Sequence, residues 1–150
     1  MSKCKVIAVA NQKGGVGKTT TAENVAIGLA RNGKEVLIID FDPQGDLTAC
    51  LGWKNNDALE NTVSTMLDDY INDKDISYTS LILNHEEDVD VIPANIELAD
   101  FEMRLVSVIN REQVLSLYRN QYFIGSRQCI DSKHSQRRGT VNQNVVVSIP

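Results

Sequence analysis

Gln12-Lys13-Gly14-Gly15-Val16-Gly17-Lys18-Thr19-Thr20 decides the reading of this 150-residue chain. Glycines at 14, 15 and 17 clear a short turn of side chains, so several backbone N–H groups can point at one anion. The stretch sits between two apolar patterns. Before it, Lys5-Val6-Ile7-Ala8-Val9-Ala10 is a short β-branched run that reads as a buried parallel strand. After it, Ala22, Val25, Ala26, Leu29 and Ala30 recur at helical spacing, and Gly33 is placed to end that helix. A helix starting here turns its positive end toward the same anion. Glu35-Val36-Leu37-Ile38-Ile39-Asp40 then reads as a second buried strand. Strand, loop, helix and strand in about forty residues form one βαβ unit of a parallel sheet. The phosphate site falls at the carboxyl end of its first strand.

The loop fits G-x-x-x-x-G-K-[ST] except at its first position, where Gln12 replaces glycine and Lys13 follows. This is the deviant form of the motif, with Gly14, Gly15, Val16, Gly17, Lys18, Thr19 and Thr20 as the cradle. Lys18 supplies a point charge for the β- and γ-phosphates, and the Thr19 hydroxyl suits Mg²⁺. A second lysine crowds positive charge unless Lys13 reaches a phosphate held elsewhere. A turn that binds nothing needs neither the Gly-Lys-Thr ending nor these flanks.

The second strand runs into Asp40-Phe41-Asp42-Pro43-Gln44-Gly45-Asp46. Asp40 and Asp42 are two apart and face the same way in an extended chain. At the sheet edge, one carboxylate can hold the metal's water shell while the other orients or deprotonates a water. Pro43 and Gly45 break the strand and open a loop able to respond to nucleotide state. In isolation such residues read as an ordinary acidic turn; it is the phosphate loop upstream that gives them chemistry.

The segment KGGVGKTTTAENVAIGLARNGKEVLIIDFDPQGDLTACLG resembles the ParA/Soj partition ATPases of the deviant Walker A (ParA/MinD) group. Val91-Ile92-Pro93-Ala94-Asn95-Ile96-Glu97-Leu98-Ala99 is similar to that family's P-A-N-x-x-L segment. The resemblance covers about residues 3 to 118. It implies a P-loop α/β fold, a parallel sheet flanked by helices, with ATP and Mg²⁺ as cofactors. Lys13 is then the signature lysine that crosses an ATP-sandwich homodimer. Lys18 is the Walker lysine, Thr19 the metal ligand, Asp42 the acid tied to water activation and Asp40 its neighbour at the metal. It further implies non-specific DNA binding, a ParB-type activator, and a cytoplasmic, nucleoid-associated role in moving plasmids or chromosome origins. A cation supplied only on dimerisation couples assembly to hydrolysis; the comparable in-trans arginine of GTPase activators is worth about 10³ to 10⁵ in rate.

Composition agrees with a soluble single domain large enough for a core. No apolar run reaches membrane-span length, and the N-terminus lacks a signal peptide's apolar core. Cys4, Cys50 and Cys129 show no ligand spacing, which argues against zinc and disulfide frameworks. His85 and His134 are isolated and read as surface residues. The chain opens almost directly on its first strand, so an N-terminal helix-turn-helix domain is not expected.

Further along, Asn61 to Tyr70 carries a helical pattern through Val63, Met66, Leu67 and Tyr70. Glu86-Glu87-Asp88 reads as a turn before a strand at Val89 to Ile92. Leu98, Phe101, Leu105, Val108 and Ile109 mark an amphipathic helix. After Tyr118 the character changes. Up to that point there are ten Lys/Arg against nineteen Asp/Glu; beyond it, five against one. The family's next strand is an apolar run ending in the Walker B aspartate, and no such run occurs. Cys129-Ile130-Asp131 is preceded by Gly125, Ser126, Arg127 and Gln128.

The reading therefore divides the chain into 1–118, the N-terminal part of an ATPase domain, and 119–150, a divergent basic tail. The tail fits out-of-frame sequence or a disordered nucleic-acid arm. A sheet with only its first strands leaves an edge uncovered, so impaired hydrolysis and aggregation are expected of the chain alone. Two other readings stand beside the ATPase. One is a non-enzymatic truncated or regulatory fragment that caps an intact relative. The other is a different deviant Walker A protein, MinD-like or reductase-like. The tail shows no amphipathic membrane helix for the former, and the scattered cysteines offer no cluster ligands for the latter.

Overall fold

The computed structural model describes residues 5–11, 13–72, 74, 78–105 and 143–149. Five strands form one sheet in the order β1-β5-β2-β4-β3. They are β1 (Lys5–Ala10), β2 (Glu35–Asp40), β3 (Leu83–Asn84), β4 (Asp90–Ile92) and β5 (Gln143–Ile149). The pairs β1–β5, β5–β2 and β2–β4 are parallel, and β3 adds antiparallel to β4. The sheet is therefore mixed, where a purely parallel one was expected. The antiparallel edge comes from the 86–88 turn, which sends the chain straight back; His85 N–H donates to Val89 O at 2.9 Å.

Alternation along β2 builds two cores. Val36 and Ile38 face one side with Val91, against Ala22 and Ala26 of α1 (Lys18–Arg31) and Leu47 and Leu51 on and just after α2 (Asp46–Cys50). Leu37 and Ile39 face the other side with Ile92. They meet Val63, Met66 and Leu67 of α3 (Val63–Ile71), Leu81 of the short α4 (Tyr78–Leu81), and Leu98 and Phe101 of α5 (Glu97–Leu105). A strand covered on both faces needs a continuous apolar run, and β2 has one. The two fully buried alanines of α1 let this helix lie close to the sheet.

Helix ends follow local chemistry. Gly33, at φ +72, closes α1; its N–H donates to Ala30 O at 2.8 Å and Lys34 N–H to Leu29 O at 3.1 Å, the Schellman pattern. At the start of α3, Thr62 N–H donates to Thr65 Oγ1 at 3.4 Å. The helices at 63–71 and 97–105 match the sequence reading, with Leu98 and Phe101 buried. Val108 and Ile109 lie outside the described residues.

One sequence expectation changes: β1 is an edge strand, with Val6 43% exposed, and not a buried strand. Between β1 and β2 lies β5, with Asn144 to Ser148 pairing on both sides. An apolar Val-Val-Val run is suited to a central parallel position. The Cys129–Asp131 stretch, Cys4, Gln12 and His134 lie outside the described residues.

Candidate nucleotide-binding site

The glycine-rich loop emerges from the carboxyl end of β1 and the acidic turn from the carboxyl end of β2. Val9, Ser148 and Asp40 share one level across three strands. Two inter-strand spacings, about 10 Å, therefore separate the two backbones at the same sheet edge.

Gly15 (φ +70) and Gly17 (φ +83) occupy left-handed backbone, which glycine adopts without strain. A Cβ added at Gly14, Gly15 or Gly17 meets nothing within 4 Å among the described residues, so there is free space beside the loop at these positions. Lys13 N–H donates to Asn11 Oδ1 at 2.9 Å, which fixes the loop's entry. Thr21 N–H is the first in α1 to find an intrahelical acceptor, Gly17 O at 2.9 Å. No side chain caps this helix and its first turn holds no acid. The N–H groups of Lys18, Thr19 and Thr20 are thus the orphan donors of a helix start. Lys18 Nζ bends back over the loop to Lys13 O at 3.3 Å, placing its charge over the same cradle. Lys13, Val16 and Thr20 are exposed; Lys18 and Thr19 are half-buried. The donor set and the open cradle fit a polyphosphate, and the Thr19 hydroxyl at the helix start fits its Mg²⁺.

The two acids of the turn part company. Asp40 is fully buried. Its Oδ2 accepts from Thr48 N–H at 2.9 Å and Thr48 Oγ1 at 2.8 Å, and its Oδ1 accepts from Asp42 N–H at 3.1 Å. Burial pushes the Asp40 carboxyl above its ordinary value, while the bonds from Thr48 and Asp42 pull the other way. Three donors thus occupy the Asp40 oxygens, and the side chain is shut off from solvent. Asp42 is half-buried; its Oδ1 accepts Gln44 N–H at 3.0 Å. Among the described residues, no group of three His, Cys, Asp or Glu side chains is placed to hold a metal by itself.

Behind the acidic turn lies a polar layer that the sequence reading missed. Thr48 and Asn95 are buried, and Ala94 N–H donates to Thr48 Oγ1 at 3.0 Å. Asn56 Nδ2 donates to Gln44 O at 3.4 Å and Ala94 O at 3.3 Å. A signal for Thr48 did exist: it is a polar residue on the apolar side of α2, next to Leu47.

An open phosphate cradle at a helix start, with an acidic turn at the same edge of an α/β sheet, defines a nucleotide-binding domain of the P-loop type. A family profile described as an AAA domain matches residues 4–122, and the chain belongs to that family. Among relatives, it is 47% identical over 108 residues to the sporulation initiation inhibitor protein Soj of Bacillus subtilis, covering 72% of this chain and 41% of Soj. It is 39% identical over 111 residues to the chromosome partitioning protein ParA of Myxococcus xanthus, covering 72% of this chain and 36% of that one. The fold matches, at TM-score 0.71 and 32% identity, a cobyrinic acid a,c-diamide synthase from Mycobacterium smegmatis solved with an ATP analogue and magnesium. That match covers 96% of this chain and 50% of the other. The chain therefore spans half or less of each of these three proteins. Among the described residues, no helix is long and apolar enough to cross a membrane.

Proposed function

We propose that this chain is the nucleotide-binding part of a ParA/Soj-type ATPase of plasmid or chromosome partitioning. The observation that carries the proposal is the uncapped, acid-free start of α1 beneath a left-handed glycine loop, with Lys18 bent over it. The backbone of Gly14 to Thr20 grips the phosphates of ATP and Lys18 neutralises them. The Thr19 hydroxyl would hold Mg²⁺, which would supply positive charge against that of the phosphates. Asp42 orients the attacking water and takes up its proton. Asp40 acts through Asp42, holding the turn in place. Lys13, exposed at the loop's outer side, reaches the nucleotide of a second copy in an ATP-linked homodimer. Non-specific DNA and a ParB-type activator are the partners of the assembled protein, and the nucleoid its place of work.

A second reading has its own observation. The strand between β1 and β2, where a Walker B acid would stand, carries Ser148 level with Asp40 and ends on Ile149. With no carboxylate at that level of the strand and with β1 at the sheet edge among the described residues, the chain suits a nucleotide-binding fragment that caps an intact relative without turnover. Titration of a fluorescent ATP analogue with Mg²⁺, followed by phosphate release, separates the readings. Binding lost in Lys18→Ala supports both; turnover supports only the first. Equal binding by wild type and Lys18→Ala would remove the nucleotide site altogether.

A further inference from the structure

The geometry points to Thr48 and Asn56 as positioning residues of this site, tying the acidic turn on both sides to the backbone of one residue, Ala94, so that the stance of Asp42 depends on the β4–α5 segment. This inference rests on the nucleotide reading above and adds a linkage that the motifs do not contain.

Ala94 is fully buried between β4 and α5. Its N–H donates to Thr48 Oγ1 at 3.0 Å and its carbonyl accepts from Asn56 Nδ2 at 3.3 Å. The Thr48 hydroxyl, having accepted that bond, donates its own proton to Asp40 Oδ2 at 2.8 Å. Asp40 Oδ1 in turn accepts Asp42 N–H at 3.1 Å. Two side chains thus join Ala94 N–H to Asp42 N–H, and Asp40, Thr48 and Ala94 are all 0% exposed. A buried polar chain with every member satisfied is stiff, because breaking one link strands a group without water to replace it. On the other side of the turn, the Asn56 amide also reaches Gln44 O at 3.4 Å. Gly45 is clasped between the two anchors: an added Cβ would lie 2.8 Å from Ala94 O and collide with the Asn56 amide.

The β4–α5 segment is itself tied outward. Val63 N–H donates to Pro93 O at 2.8 Å, Asn95 Nδ2 to Leu59 O at 3.4 Å, and Ile96 N–H to Asp57 Oδ1 at 3.3 Å. A shift of Asp42 toward a bound γ-phosphate must therefore pull on residues 93–96, and through them on 57–65. Asp42 has no comparable side-chain anchor other than Asp40 among the described contacts.

The test is hydrogen exchange by mass spectrometry on the whole chain, with and without AMP-PNP and Mg²⁺. In wild type, nucleotide slows exchange in peptides covering 13–20, 40–48 and 93–96. In Thr48→Val, affinity stays within about threefold and protection at 13–20 persists, but protection at 93–96 is lost, while Thr48→Ser restores it. Asn56→Ala, at a half-buried position, is the second variant should Thr48→Val fail to fold, and it shows the same loss. Protection at 93–96 that survives in the folded variants would overturn the inference. So would a Thr48→Ser protein behaving like Thr48→Val. Absence of protection at 13–20 in wild type is a different failure: it overturns the nucleotide reading, and the positioning role with it.

Discussion

Thr48 gives both its N–H and its hydroxyl to the same oxygen of Asp40, at 2.9 and 2.8 Å, in a place no solvent reaches. The pair converts a buried carboxylate, which is costly alone, into the anchor of the turn that carries Asp42. Its consequences can be measured separately from nucleotide chemistry.

One is pH dependence. Burial raises the native value of Asp40 above its ordinary 3.8. The native state then binds the proton more readily than the unfolded chain does. The resulting stabilisation is complete below the ordinary value and is lost as pH rises through the raised native value. Asp40→Asn has no such window. Urea unfolding at a series of pH values should show wild type losing ground to Asp40→Asn as pH rises through that range; a difference moving in wild type's favour refutes the assignment.

Thr48→Val keeps the shape and removes the hydroxyl, so Ala94 N–H and Asp40 each lose a partner in the interior. The expected cost is about 1–3 kcal/mol, with Thr48→Ser losing less. Urea midpoints decide it, and a larger cost for Thr48→Ser than for Thr48→Val would show that packing of the methyl, not the hydroxyl, matters.

Gly45→Ala combines two penalties. Its φ of +62 is left-handed, about 1–2 kcal/mol for a residue with a Cβ, and backbone Ala94 O stands 2.8 Å from that Cβ. Gly33→Ala, at φ +72 with open space around it, meets only the first penalty. Thermal melts of the two should therefore differ, with Gly45→Ala melting lower. Matching melts would show that Asn56 and Ala94 yield without cost.

Lys18→Ala should weaken binding of a fluorescent ATP analogue at least about tenfold while leaving the melt of the free protein nearly unchanged, since among the described residues Lys18 Nζ bonds to one exposed loop carbonyl. In a full-length assembly, Lys13→Ala should retain ATP affinity yet lose turnover linked to dimerisation. Normal ATPase activity in that variant would rule out a lysine acting in trans.

Core and surface should differ sharply. Phe101, 1% exposed beneath α3, should cost about 3–5 kcal/mol when cut to alanine. The Arg31–Glu87 pair, bonded at 2.9 Å through side chains 67% and 36% exposed, should cost about 1 kcal/mol or less in Arg31→Ala. A surface ion pair rivalling the phenylalanine would contradict this ranking.

Much of the framework was legible because it rests on local rules. The β2 run, the α1 spacing, the Gly33 ending and the 97–105 helix all follow from periodicity and backbone preference within a few residues of chain. The cradle was legible for the same reason, since glycines, a lysine and a helix start act on one another over nine positions. Strand order was not: nothing near Lys5–Ala10 tells that β5, more than a hundred residues later, pairs there and leaves the strand's other side open.

The sequence alone thus determined the strand–loop–helix–strand unit of β1, α1 and β2 and the helices at 63–71 and 97–105, but not α2, α4, β3 or β5. The tertiary structure decided which of the two acids is buried and which stays partly in solvent. Asp40 and Asp42 look equivalent as letters two apart. They become different when Thr48, eight residues on, and Ala94, fifty-four residues on, close over Asp40 and leave Asp42 half in solvent. Burial and hydrogen-bond saturation belong to neighbours brought together by folding, and no spacing along the chain contains them.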